Sequence, residues 1–179
     1  MQNWKDLYKE LASIIEAKVP GISWQDLWHN QVNFLEEEHP FPTPALFYSF
    51  RTMGTTDLGK KAQKLPVQVD IYLFFETFAD TYNGSWNQNG ALGFLDLLTQ
   101  VHAALHGTTG ENYSSMRRIS FNPVDTGGAG NTYLQSFSCE LIDESAVNQE
   151  EEVNNEELDI EAGQRPPDQD SEPFFFPIL

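Results

Sequence analysis

Residues Val67–Phe75 constrain this chain more than any other segment. Val67, Val69, Ile71, Leu73 and Phe75 fall on one side of an extended segment, and Gln68, Asp70, Tyr72 and Phe74 fall on the other. Side chains of a strand alternate between faces, so an apolar row at period two commits the segment to a sheet with a buried face. One strand cannot bury that row alone. Its partners and its cover must come from elsewhere in the chain.

Three further strands are predicted. Ala45–Arg51 (ALFYSFR) is aromatic and extended, and Met116–Asn122 reads the same way. In Tyr133–Ile142, Tyr133, Gln135, Phe137, Cys139 and Leu141 alternate with the residues between them. The cover comes from two amphipathic segments. Over residues 3–19, Trp4, Leu7, Tyr8, Leu11, Ile14 and Ile15 share one helical face, with Asn3 as the expected cap and Pro20-Gly21 as the stop. Over 89–106, Ala91, Phe94, Leu95, Leu98, Val101, His102 and Leu105 form a second stripe, with Asn89 as its cap and Gly107 as its end. Gly93 inside that stripe suggests a close helix-to-sheet contact. The expected fold is α+β: an antiparallel four-stranded sheet with two helices packed on one face.

Two stretches read less simply. In residues 22–35, either Ser23 caps a short helix holding Leu27 and Trp28, or the segment from Gln31 to Leu35 is extended. Pro40, Pro42 and Pro44 then impose a non-helical connection. Thr52–Lys64 reads as a polar loop, the mobile tip of a long hairpin, and Asp125–Asn131 as a Gly-rich hairpin loop.

Charge divides the chain. Residues 1–142 hold 15 acids and 9 bases, a net of −6, whereas 143–179 hold 12 acids and 1 base, a net of −11. The second part repels itself and solvates rather than packs. The reading is therefore a domain over 1–142 and a disordered or extended acidic tail over 143–179. The tail ends in an apolar plug, Phe174, Phe175 and Phe176 before Pro177-Ile178-Leu179, which reads either as a dock onto a neighbour or as an exposed, frayed terminus. A mildly acidic domain is ill suited to gripping nucleic acid by its phosphates. The N-terminal segment lacks the unbroken apolar centre of a signal peptide, and no membrane-spanning helix is expected. One cysteine, Cys139, excludes an intramolecular disulfide and a cysteine-based metal cluster.

No catalytic, cofactor-binding or metal site emerges, so the expectation is a protein that is not an enzyme. His102 and His106 stand four apart on a helix, but no Glu follows His102 in the zinc-protease manner; packing accounts for His102 and the end of the helix for His106. Asp70 and Glu76 lie about 20 Å apart along a strand at ~3.4 Å per residue, too far to share one ion. The Gly127–Gly130 loop lacks the Lys-Ser/Thr and following helix of a phosphate cradle. Arg117-Arg118 and the lysines of the 52–64 loop, Lys60, Lys61 and Lys64, are candidate contacts to a neighbouring subunit or partner.

The order of elements carries a resemblance. A leading helix is followed by a Pro-rich strand entry (HPFPTPALFYSF), a polar hairpin loop, a strong strand (LPVQVDIYLFF), a helix (ALGFLDLLTQVHAALHG) and a closing hairpin (MRRISFNPVDT to TYLQSFSCELID). This resembles the tail-terminator proteins of long-tailed bacteriophages and prophages, the lambda tail-terminator group, and phage minor tail and tail-completion proteins. The resemblance covers about residues 3–142 and leaves the acidic tail outside it. It implies a virion protein of the tail, assembled in the bacterial host cytoplasm. It implies a ring, usually a hexamer, that caps the tail-tube protein and meets head-completion proteins. DNA would pass a net-negative lumen without specific binding; no cofactor and no membrane are implied. The alternatives are another head-tail connector or injection-machine component, or a small ligand-binding module or enzyme whose site cannot be read.

Overall fold

A computed structural model describes residues 2–33, 41–76, 80–125 and 130–147. The first helix, α1 (Gln2–Lys18), precedes β1 (Trp24–Leu27) and a single 3₁₀ turn at Gln31–Asn33. Then come β2 (Ala45–Thr52), β3 (Thr56–Gly59) and β4 (Ala62–Phe75). A short helix α2 (Gln88–Ala91) leads into α3 (Gly93–Leu105), and β5 (Ser114–Val124) and β6 (Asn131–Asp143) close the fold.

The class is α+β, but the sheet has six strands and is mixed, which corrects the expected antiparallel four-stranded sheet. Its order is β1-β2-β4-β6-β5, with β3 beside the far end of β4. β1 runs parallel to β2, in the register Trp24↔Ala45 to Leu27↔Tyr48. All other pairs are antiparallel. A parallel pair needs a crossover rather than a hairpin, and residues 28–44 supply it. The two added strands have four residues each. β1 falls in the ambiguous 22–35 stretch, where neither a helix over Leu27 and Trp28 nor an extended Gln31–Asn33 forms. β3 falls in the stretch that reads as a loop. Both segments are too short and too polar to show an alternating apolar row, so only pairing with β2 and β4 defines them.

The row of Val67–Phe75 does what its alternation requires. β4 starts earlier, at Ala62, and pairs along its length with β6, Gln63↔Asp143 to Phe75↔Asn131. Leu7, Leu11, Ile15 and Val19 from the α1 segment meet Leu46, Tyr48, Val67, Val69, Ile71, Phe137, Cys139 and Leu141 in one core. Val101, Ala104 and Leu105 of α3 join the same cluster, so both long helices cover one face. Leu73, Phe94 and Leu98 extend it toward the start of α3. On the opposite face, the crossover lays Val32, with Trp28 and Phe41, over Ala45, Phe47 and Phe74.

Three local expectations change. Asn3 lies inside α1 rather than capping it, and its side-chain amide donates to Ile142 C=O and the Asp143 carboxylate. Asn89 lies inside α2, and the helical stripe breaks at Leu92, where Gly90 and Gly93 weaken it. A Cβ on Gly93 would meet nothing within 4 Å, so this glycine marks the break and not a close helix-to-sheet contact.

Candidate interaction surfaces

An open sheet has two borders, and each border carries unpaired backbone groups unless something covers them. At the first border, side chains occupy most of β1's outer groups. The Asp26 carboxylate accepts from Leu27 N–H at 2.7 Å, Gln31 Nε2 donates to Leu27 C=O at 2.9 Å, and Tyr8 Oη reaches Gln25 C=O at 3.4 Å. β2 outruns β1. Trp28 N–H donates to Tyr48 C=O, and beyond it Ser49–Thr52 have no strand on that side among the described residues. A groove of about 550 Å³ runs along this free stretch, walled by Trp4, Leu27, Trp28, Phe50 and Arg51.

Aromatic rings reach this border from the core. Tyr8 meets Tyr48 edge-on at 5.4 Å, Tyr48 stacks toward Phe50 at 6.4 Å, and Phe50 meets Trp4 at 6.1 Å. Burial raises the Tyr48 phenol well above its usual range, with the nearby Tyr8 adding to the effect. Its hydroxyl donates to Gln25 Oε1 at 2.6 Å and stays protonated.

The second border is β5. Its first half is occupied: Met116 N–H donates to Thr108 C=O, Met116 C=O accepts from Gly107 N–H, and Arg118 N–H donates to His106 Nδ1. A bulge between Arg118 and Ser120 throws Ile119 outward. Ile119 is 52% exposed and Phe121 44%. Phe121 is the last ring of a series, stacked on Tyr133 at 5.4 Å, which stacks on Phe94 at 5.5 Å, which meets Phe75 at 5.7 Å. Pro123 is tolerated here because a border strand has no further ladder to serve.

The candidate contact residues have different fates. Lys60 and Lys61 form the two-residue tip of the β3–β4 hairpin, flanked by paired Gly59 and Ala62. Both have positive φ, 50° and 65°. A tight hairpin requires this conformation at its two central residues, but lysine holds it at a cost. All of β3 is exposed, so the tip projects. Lys64 instead forms a surface ion pair with Glu140 at 2.9 Å, worth at most about 1 kcal/mol. Arg117 is exposed on the border, while Arg118 points to the helix side. There Arg118 donates to Gln135 Oε1 at 3.2 Å and lies over Phe121 at 5.9 Å. Phe174, Phe175 and Phe176 lie outside the described residues.

Of the groups considered in the sequence, Gly127, Gly128 and Ala129 lie outside the described residues, and the histidines and Asp70 have identifiable neighbours. His102 and His106 stand ring to ring at 4.7 Å. Desolvation, then Arg118 and His106, lower the His102 pKa. Among the described residues no group of three or more His, Cys, Asp or Glu side chains is arranged to hold a metal ion. Asp70 accepts from Gln68 Nε2 at 2.7 Å and from the Ser136 hydroxyl, and Arg51 donates to Gln68 Oε1 at 2.6 Å. This polar row ties three strands together on the face away from the helices. Cys139 is buried, and desolvation pushes its thiol up to about 12. No described helix is long and apolar enough to cross a membrane.

Sequence reasoning passed over Trp4, Leu27, Phe50, Ile119 and Phe121 as surface residues. Trp4 looks like any other member of the α1 stripe, and Ile119 leaves the alternation only because of the bulge. Trp86, 89% exposed in the turn before α2, carries no pattern that would announce it. No known protein family matches the chain, and no curated protein is similar to it.

Proposed function

We propose that this chain is a structural tail protein of a long-tailed bacteriophage or prophage, a terminator that assembles as a ring on the tail tube. One observation carries the reading: the two borders of the sheet differ, and among the described residues each leaves a stretch without a strand beside it, flanked by aromatic side chains. Unlike patches on one subunit suit head-to-tail contacts, and such contacts close into a ring when the rotation between copies permits. The projecting β3–β4 hairpin, with Lys60 and Lys61 at its tip, suits a contact outside the ring plane, to the tube or to a head-completion protein. The resemblance in element order supports the same reading and suggests six copies.

In this reading the chain works by geometry rather than by catalysis. A ring seated on the last tube layer occupies the surface that the next tube subunit would need. Its opposite side then receives the head-completion protein, and DNA passes through the centre. The test is deletion of the gene from its phage or prophage. The expected result is tubes of uncontrolled length without attached heads, seen by electron microscopy, with normal length restored by supplying the protein. Tails of normal length joined to heads after deletion overturn the proposal.

A further inference from the structure

Among the described residues, each border of the sheet leaves one stretch without a partner strand. On β2 the free stretch is Ser49–Thr52, beyond the end of β1. On β5 it begins at Ile119, past the residues held by the 106–108 segment, and runs to Val124. The stretches lie on opposite borders of one sheet, and the shorter, on β2, can lie wholly within the longer, on β5. Each is flanked by an aromatic series that starts in the helix-side core and ends at the border: Tyr8, Tyr48, Phe50 and Trp4 on one side, Phe75, Phe94, Tyr133 and Phe121 on the other.

We propose that the Ile119–Val124 stretch of one copy lies along Ser49–Thr52 of the next, continuing the sheet from subunit to subunit. The occupant of the β2 groove is thus a second copy of this chain. Tyr48 C=O points to β1, and strand alternation places the backbone groups of Phe50 and Thr52 on the same free border. Phe121 shares the helix-side face with Phe50 and Trp4, since it stacks on Tyr133 beneath Phe94. Alignment of the two stretches therefore brings Phe121 into the wall formed by Trp4 and Phe50, where cross-strand aromatic pairs add stability. β1 stops short of this stretch, and the hydrogen bonds on β1 itself steer the neighbour past it. Because Pro123 has no N–H, the junction draws more on ring packing than on a full ladder.

This inference rests on the ring reading but fails separately from it. With facing backbone groups the two stretches run antiparallel, so Phe121 opposite Phe50 puts Ile119 opposite Thr52, and the experiment uses the full-length chain with Thr52→Cys and Ile119→Cys together, treated with a short bis-maleimide. Buried Cys139 serves as the silent background. Phe121→Lys is the second variant, chosen because Phe121 is already partly exposed, and its unfolding temperature reports whether the fold is kept. Light scattering reads the assembly state of wild type and of each variant. The expected result is a ladder of cross-linked multimers in the double variant, none in either single variant, and at least tenfold weaker association for Phe121→Lys with its unfolding temperature kept. A wild-type oligomer with no ladder and an unaffected Phe121→Lys overturns this junction and leaves the ring reading standing. A wild-type chain that stays monomeric at every concentration, with no ladder, overturns both.

Discussion

Glu10 on α1 offers a sharp test of how the helix is tied to the start of β5. Its carboxylate accepts from Glu111 N–H at 2.8 Å, Asn112 N–H at 3.0 Å and Asn112 Nδ2 at 2.9 Å. Hydrogen bonds to a charged group contribute about 1.5–3 kcal/mol each. Water can replace the exposed bond to Glu111, which leaves two partly buried ones. Partial exposure discounts each of these to about 1–2 kcal/mol, so Glu10→Ala should cost about 2–4 kcal/mol and lower the unfolding temperature by about 5–15 °C for a domain of this size. Gly110 lies against the same carboxylate. A Cβ there would stand 2.0 Å from Glu10 Oε1 and 2.5 Å from Tyr113 Cε1. Gly110→Ala must expel the carboxylate or move the Tyr113 ring, so it damages the same contact. In a Glu10→Ala background only the Tyr113 clash remains, and Gly110→Ala should cost about 1–2 kcal/mol less than it does alone. Urea unfolding of the four proteins, read by tryptophan fluorescence, gives the cycle. A Glu10→Ala effect below about 0.5 kcal/mol, or strict additivity, refutes the reasoning.

Lys60→Asn with Lys61→Gly puts residues suited to positive φ at the hairpin tip and should stabilise the fold by about 1 kcal/mol or more, seen as a higher melting temperature; if the tip meets the tube, the same variant caps tubes poorly while staying folded. The lowered pKa of His102 means that the folded protein resists its protonation. Stability is unaffected above about pH 6.5, the unfolded value, and falls as pH drops from there through the folded value; His102→Gln should flatten that limb of a melting-temperature profile. Cys139, with its thiol pushed up to about 12, should ignore a disulfide reagent at pH 8 in the native protein and react fully in denaturant; rapid native reaction would contradict its burial.

The long elements were legible because their signals are local. The Val67–Phe75 alternation and the apolar stripes of the two helices are statements about neighbours in sequence, and burial on one face results from them. Gln135 shows how the same pattern can hide a role. It shares its face with Tyr133, Phe137 and Cys139, and it is buried because Nε2 donates to Leu98 C=O at 2.7 Å. Its sequence neighbours announce neither the bond nor α3 above it.

The sequence alone determined that the chain is α+β, that its strongest strand is covered by helices, and that most of the net negative charge lies in the last residues. Only the tertiary structure decided the borders. β1 exists because β2 offers it a ladder, β3 because β4 runs on past β2, and Ile119 faces outward because of a bulge. Where a sheet ends is set by which strands fail to find a partner, a property of the whole assembly of segments. For that reason the free borders of the sheet were invisible in the sequence.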